Sequence, residues 1–257
     1  MHDDASTDNT ATIARKILEE SGVNFDLVVA KKNRFSHGSS FKYEFALQST
    51  SDFVAFLDAD DFWTEPSKLQ AQIDFLQADP SVSLCHTAFL GVDPRGNPIS
   101  FRAKATYLQP KIDGHRLSEE NFIGTLTVMV RRDAMPAKLP TGFDRLRVDD
   151  YPLWALITDT AKIGFIDQVT ACYRLHGKNN FASQPDELRS RQILDAMVWI
   201  ANAVSPSHTM YWLEGIREFV LRDSVSHSPF RRLRRLVRKK IQSTLARRSF
   251  HVPKREL

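Results

Sequence analysis

The chain has 257 residues, 42% of them apolar and 26% charged, an ordinary globular composition with room for one large domain or two small ones. Two cysteines exclude a disulfide scaffold, no apolar run is long enough for a transmembrane helix, and the opening Met1-His2-Asp3-Asp4 is unlike a signal peptide, so a reducing cytoplasmic compartment is expected. The net charge of +4 is uneven: residues 229–257 hold 11 Lys/Arg and one acidic residue, a net of +10, while the first 228 hold 24 and 30, a net of −6, so the basicity is that of a tail and nucleic acid is not an expected partner.

Ile13, Ala14, Ile17 and Leu18 have helical spacing, with capping types Ser6, Thr7 and Asp8 before them and Gly22 as a stop. Phe25 to Ala30 reads as a short strand, 33–40 as a polar loop and 39–49 as a helix. Phe53 to Leu57 is nearly all apolar, as in a strand buried on both faces of a parallel sheet. A helix is expected to open at Thr64-Glu65-Pro66, with Leu69, Ile73 and Leu76 on its inner face. Strands follow at 82–90, closed by the turn Pro94–Asn97, at 124–132 and at 163–173, with a helix at 150–160. Beyond about 185 the period is helical throughout, through Leu188, Ile193, Met197, Ile200 and Val204 and again through Leu213, Ile216 and Val220. The alternation predicts an α/β sheet flanked by helices.

The most informative local feature is a buried strand that runs into Asp58-Ala59-Asp60-Asp61. Carboxylates clustered this way repel one another, and a divalent cation that prefers oxygen would offset them. Strand ends are also where open α/β sheets take ligands. A solvated acidic turn or a helix cap stays open as the other reading. Cys85-His86 and Cys172 with His176 offer four zinc-ligand types, but Cys85 lies in an apolar run and reads as a small core residue.

The set of motifs resembles the family 2 glycosyltransferases of the GT-A fold. The matching residues are His2 to Thr10, Phe56 to Trp63 with Lys68-Leu69-Gln70, Asn121 with Thr125 to Arg132, Val148 to Trp154, and Tyr173 to His176. The resemblance covers about residues 2–180 and implies a Rossmann-like mixed sheet, with a helical extension outside it. It also implies inverting transfer of a sugar from a nucleotide-sugar, UDP- or dTDP-linked, to an acceptor hydroxyl of a glycan or lipid-linked acceptor, in cell-surface polysaccharide or glycolipid synthesis.

Residue by residue, the resemblance makes Asp4 the contact to the nucleotide base and Asn33 a donor-side contact. Asp58-x-Asp60 matches the metal signature, with Mn²⁺ or Mg²⁺ bridging the donor diphosphate. Asp60 is then the direct ligand, with Asp58 and Asp61 supporting the donor. Asp150 takes the place of the catalytic base, and His176 that of a residue reaching the metal or diphosphate. On local physics alone Asp149 and Asp150 also read as helix N-terminal carboxylates, and His176 as a loop histidine. A nucleotidyltransferase is a rival in the same fold class, and a non-catalytic remnant that binds membranes or proteins is a rival from another.

Relatives carry a strand, a helix and a second strand ahead of the first acidic motif. The resemblance therefore predicts a GT-A domain over 1–182 that is N-terminally truncated, with exposed edges or other pairing at the strands near Phe25 and Phe53 and poor solubility or activity for a protein starting at Met1. A helical extension is expected over 183–228 and a basic amphipathic tail over 229–257. Two readings of that tail stay open. One is an anchor on an anionic membrane surface, which would make the protein peripheral at the inner face; the other is an apolar stripe packed on the domain.

Overall fold

The structure, a computed structural model, describes residues 1–34, 41–102, 109–177, 179 and 181–226. Two compact units are resolved, Met1–Ile216 and Arg217–Leu257. The predicted tail helix, 229–248, lies outside the described residues.

In chain order, β1 (His2–Asp3) leads through a turn to α1 (Thr10–Ser21), where Asp8 Oδ1 accepts from Thr10 N at 2.9 Å and Gly22, φ 68°, closes the helix in the left-handed conformation. β2 (Val28–Val29) pairs parallel with β1 in a sheet of two strands. Only these two residues of the predicted 25–30 strand extend, because β1 offers two partners and no more. No residue of α1 is buried, and Ile13 and Ile17 are 55% and 59% exposed.

The main sheet has seven strands. α2 (Phe41–Gln48) precedes β3 (Phe53–Ala55), and β4 (Phe62–Trp63) precedes α3 (Lys68–Ala78). Then come β5 (Val82–Val92), β6 (Pro98–Arg102), β7 (Lys111–Asp113), β8 (Met129–Arg131), α4 (Asp150–Ile157) and β9 (Lys162–Arg174). The order is β3-β8-β5-β9-β4, with β6 on β5 and β7 on β9. β5 and β9 run parallel and the other pairs antiparallel, so the sheet is mixed, as expected. β3 ends the path and is an edge strand within this sheet.

Phe53 to Leu57 is not the strand buried on both faces of a parallel sheet that was expected: β3 covers Phe53–Ala55, pairs antiparallel with β8 at the end of the strand order and is half-buried, and Leu57 is 44% exposed. Other expectations change too. The 124–132 segment pairs as a strand only at Met129–Arg131; Thr125–Thr127 wind into a 3₁₀ turn, braced by the Thr127 hydroxyl donating to Gly124 O at 2.6 Å. β4 was invisible in the sequence, since two residues make no pattern. α3 starts at Lys68, after Pro66, and buries Lys68, Gln72 and Leu76 while Leu69 is 37% exposed. The polar pair tolerates burial because it is partnered: Lys68 Nζ donates to Gln72 Oε1 and lies 4.6 Å from the Trp63 ring, and Gln72 Nε2 donates to Thr127 O at 2.9 Å.

Leu76, Val82, Cys85 and Met129 form a core beneath α3, joined by Phe53, Ala55, Ile73 and Phe75. Arg131 and Arg132, at the end of β8, reach the C-terminal carbonyls of two helices, Leu76 O of α3 and Leu47 O of α2. α5 (Asp186–Ala203) and α6 (Pro206–Ser226) follow β9. The Trp212 ring packs at a tilt against Tyr151 of α4, centroids 5.6 Å apart, and Gly215 lets α6 approach so closely that a Cβ there would sit 2.0 Å from Ser118 O. Among the described residues no helix is long and apolar enough to cross a membrane.

Candidate active site

The acidic loop lies between β3 and β4, at the exposed end of the sheet. Its position is set by β4 pairing with β9, Phe62 opposite Cys172 and Trp63 opposite Ala171. Continued two steps further, that register places Tyr173 opposite Asp61 and Arg174 opposite Asp60. Arg174 N donates to Asp61 Oδ1 at 2.9 Å, its Nε to Asp60 O at 3.0 Å and its Nη1 to Pro94 O at 3.0 Å, while the guanidinium covers Phe62 at 5.1 Å. The charge that the clustered carboxylates require is thus partly supplied by the protein itself.

The carboxylates differ in setting. Asp61 is buried, and burial first, then Asp60 and Asp58, push its carboxyl up to about 7 against the Arg174 N–H. The Asp60 side chain is 43% exposed and its Oδ2 lies 3.0 Å from His176 Nε2. His176 is held by Asn179, whose Oδ1 accepts from His176 N at 2.6 Å and whose Nδ2 donates to Arg174 O at 2.9 Å. The structure therefore brings Asp60 and His176 together.

Asp150 opens α4. Its Oδ1 accepts from Tyr151 N at 2.7 Å and its Oδ2 from the Thr125 hydroxyl at 2.7 Å. Two tyrosines are influenced both by this carboxylate and by the acidic loop. The buried Tyr43 phenol is raised well above its ordinary value by burial and by Asp149, Asp150 and Asp58. Tyr173 is pushed up to about 12 by burial and by Asp61, Asp60, Asp58 and Asp150.

Asp4 and Asn33 form a corner of their own beside β1 and β2. Asp4 Oδ1 accepts from Arg34 N at 2.8 Å, and Asp4 O accepts from Asn33 Nδ2 at 3.1 Å. The turn is held by Asp3 Oδ1 accepting from Ser6 N at 2.9 Å, and Ala5 within it has φ 64°. That left-handed conformation costs an L-residue about 1–2 kcal/mol.

The cysteines take no part. Cys85 pairs opposite Gly164 and Cys172 opposite Leu90, so they stand at different levels of the β5–β9 ladder. Burial pushes the Cys85 thiol up to about 12, the behaviour of a core residue. Tyr173, Arg174, Asn179, Tyr43 and Thr125 had no role in the sequence reading. Tyr173, Arg174 and Thr125 sat inside quoted motifs, but the β4–β9 pairing that gives Arg174 its meaning left no sequence signal.

The profile of glycosyl transferase family 2 matches residues 1–135. The chain belongs to that family. A Nostoc sp. protein described as an uncharacterized glycosyltransferase is 28% identical over 199 residues, covering 70% of this chain and 56% of that one. The Escherichia coli UDP-Glc:alpha-D-GlcNAc-diphosphoundecaprenol beta-1,3-glucosyltransferase WfgD is 29% identical over 190 residues, 73% of this chain and 69% of WfgD. An uncharacterized Mycobacterium tuberculosis protein is 26% identical over 180 residues, 68% of this chain and 49% of its own length. The chain thus spans about half of the Nostoc and Mycobacterium relatives it matches.

Among solved structures, S. aureus TarS in complex with UDP aligns with a TM-score of 0.56 at 17% identity, over 86% of this chain and 60% of the other. The Pyrobaculum calidifontis mannosyltransferase PcManGT, solved with GDP-Man and Mn²⁺, aligns with a TM-score of 0.57 at 14% identity, over 95% of this chain and 70% of the other. These likenesses carry the fold: the mixed sheet flanked by helices is that of GT-A glycosyltransferases.

Proposed function

We propose that this chain transfers a sugar, with inversion, from a UDP- or dTDP-sugar to the hydroxyl of a glycan or lipid-linked acceptor in cell-surface polysaccharide or glycolipid synthesis. The observation that carries this reading is His176 Nε2 lying 3.0 Å from Asp60 Oδ2 in the acidic loop that follows β3, with Asp150 at the start of α4 held by the Thr125 hydroxyl at 2.7 Å. Family membership and the lipid-linked substrate in the name of WfgD support it.

The residues fit a divalent cation in part. Among the described residues no three His, Cys, Asp or Glu side chains come together as a ligand group, but one exposed carboxylate and one imidazole stand side by side. Two protein ligands of this type suit Mn²⁺ or Mg²⁺ when substrate phosphates and water complete the shell. Asp60 and His176 would hold the cation, which would neutralise charge growing on the departing diphosphate.

The rest of the chemistry belongs to the chain. Asp150 receives the acceptor proton as that oxygen bonds to the anomeric carbon from the face opposite the diphosphate, and the carbon–oxygen bond to the diphosphate breaks. Asp58 and Asp61 flank the donor. Asp4 has acceptor capacity for the imide N–H of uracil or thymine, and Asn33 shares its corner. The basic tail, 229–257, is the element for an anionic membrane surface.

The test is incubation of the purified protein with a panel of UDP- and dTDP-sugars and undecaprenyl-diphosphate-linked acceptors, with Mn²⁺, with Mg²⁺ or with EDTA. Metal-dependent release of nucleoside diphosphate with an inverted anomeric centre in the product is expected. Release unaffected by EDTA, retained configuration, or no transfer from any donor would contradict the reading.

A further inference from the structure

The Asp150 carboxylate is gripped at both oxygens. One grip is local, from the N–H of the next residue. The other comes from Thr125, 25 positions earlier, whose hydroxyl donates to Oδ2 at 2.7 Å. Two anchors on different oxygens fix both side-chain torsions, whereas the N–H of Tyr151 alone leaves the carboxylate free to swing about that bond.

Thr125 itself stands on a fixed element. It opens the 3₁₀ turn Thr125–Thr127, in which Leu126 and Thr127 are buried. All three carbonyls of the turn are used. Thr125 O accepts from Val128 N at 3.2 Å, Leu126 O from Trp63 Nε1 at 2.8 Å, and Thr127 O from Gln72 Nε2 at 2.9 Å. Trp63 belongs to β4, the strand that follows directly on Asp60 and Asp61. A continuous route therefore runs from the acidic loop through Trp63 and Leu126 to Thr125 and on to Asp150. It has one weak point for adjustment, the single hydroxyl of Thr125.

We propose that Thr125 is a positioning residue: its hydroxyl orients the Asp150 carboxylate toward the acceptor, and the 125–127 turn sets the distance of that base from the acidic loop. The inference rests on the reading of Asp150 as the base, but assigns to Thr125 and Trp63 roles that this reading does not contain. It needs the hydroxyl and not the bulk of the side chain. Thr125→Ser therefore preserves the function and Thr125→Val, of nearly the same shape, removes it.

The test compares Thr125→Val, Thr125→Ser, Trp63→Phe and Asp150→Asn with the unmodified chain in steady-state transfer. For Thr125→Val the turnover number falls about 10²-fold, the scale of a misplaced catalytic group, while the donor KM stays within about twofold and Thr125→Ser restores turnover. Trp63→Phe shows a smaller fall of the same kind, because Leu126 O loses its donor. Activity retained in Asp150→Asn defeats the catalytic reading. Loss in Asp150→Asn with wild-type turnover in Thr125→Val defeats the positioning role alone. A crystal structure of Thr125→Val decides the matter independently of turnover: a rotated Asp150 carboxylate on an unchanged backbone is expected, and an unmoved carboxylate overturns the inference.

Discussion

His176 Nε2 and Asp60 Oδ2 lie 3.0 Å apart although 116 positions separate them in the chain. β4 and β9 bring them together by pairing antiparallel and carrying the acidic loop and the Tyr173–His176 segment to the same end of the sheet. Asn179 and Arg174 then fix the two sides of the contact.

From this contact comes the first prediction. His176→Ala weakens Mn²⁺ binding in the presence of UDP by at least about tenfold, the lower bound for losing even an outer-shell partner. Calorimetric titration with Mn²⁺ in the presence of UDP checks it. Equal affinity in the variant and the unmodified chain would remove His176 from the site.

The second prediction concerns the turn at Asp4. Ala5 has φ 64°, in the left-handed region. Ala5→Gly relieves about 1–2 kcal/mol of strain and gives back roughly half of it as extra unfolded-state entropy, so urea unfolding should show a gain of up to about 1 kcal/mol. A loss of stability would mean that the alanine methyl makes packing contacts worth more than the strain.

Much of this architecture was legible because it is periodic. The apolar run of β5, the 13-residue β9 and the helices after 185 are long enough for burial to write a pattern into the sequence. The metal-side candidates were legible because carboxylates at a strand end are unusual, and the resemblance then named Asp150. What stayed hidden was made of short or polar elements. β4 has two residues, the Thr125–Thr127 turn is built by side-chain hydrogen bonds within a β-like sequence, and α3 buries a lysine and a glutamine where an apolar face was expected. Those elements carry the tertiary hydrogen bonds of the site, which no local spacing records.

The buried lysine yields the third prediction. Burial lowers Lys68 from its ordinary 10.5 to about 8. Between these values the unfolded chain holds a proton that the folded chain has released, so this group makes stability rise with pH from about 8 to 10.5; below about 8 its cost is fully present. Lys68→Met should therefore gain on the unmodified protein at pH 7 and lose that advantage as pH approaches 10. Urea midpoints at several pH values measure the difference, and a difference independent of pH would contradict it.

Gly215 provides the fourth. A Cβ there would meet Ser118 O at 2.0 Å and Met197 Cε at 3.3 Å. Gly215→Ala should destabilise the fold by about 1–3 kcal/mol through overpacking, while Leu213→Ala on the exposed side of α6, where Leu213 is 48% exposed, should stay within about 0.5 kcal/mol. Equal effects in chemical denaturation would show that α6 does not depend on this close approach.

In the proposed function Asp60 would hold the cation, and through it the donor, while Asp150 would take the acceptor proton. The most direct measurement is Mn²⁺-dependent UDP binding by calorimetry, set beside sugar transfer, for Asp60→Asn and Asp150→Asn. The predicted result is that Asp60→Asn loses metal-dependent binding and transfer together, whereas Asp150→Asn binds UDP and Mn²⁺ like the unmodified chain and transfers no sugar. Transfer by Asp150→Asn, or undiminished metal-dependent binding by Asp60→Asn, would contradict it.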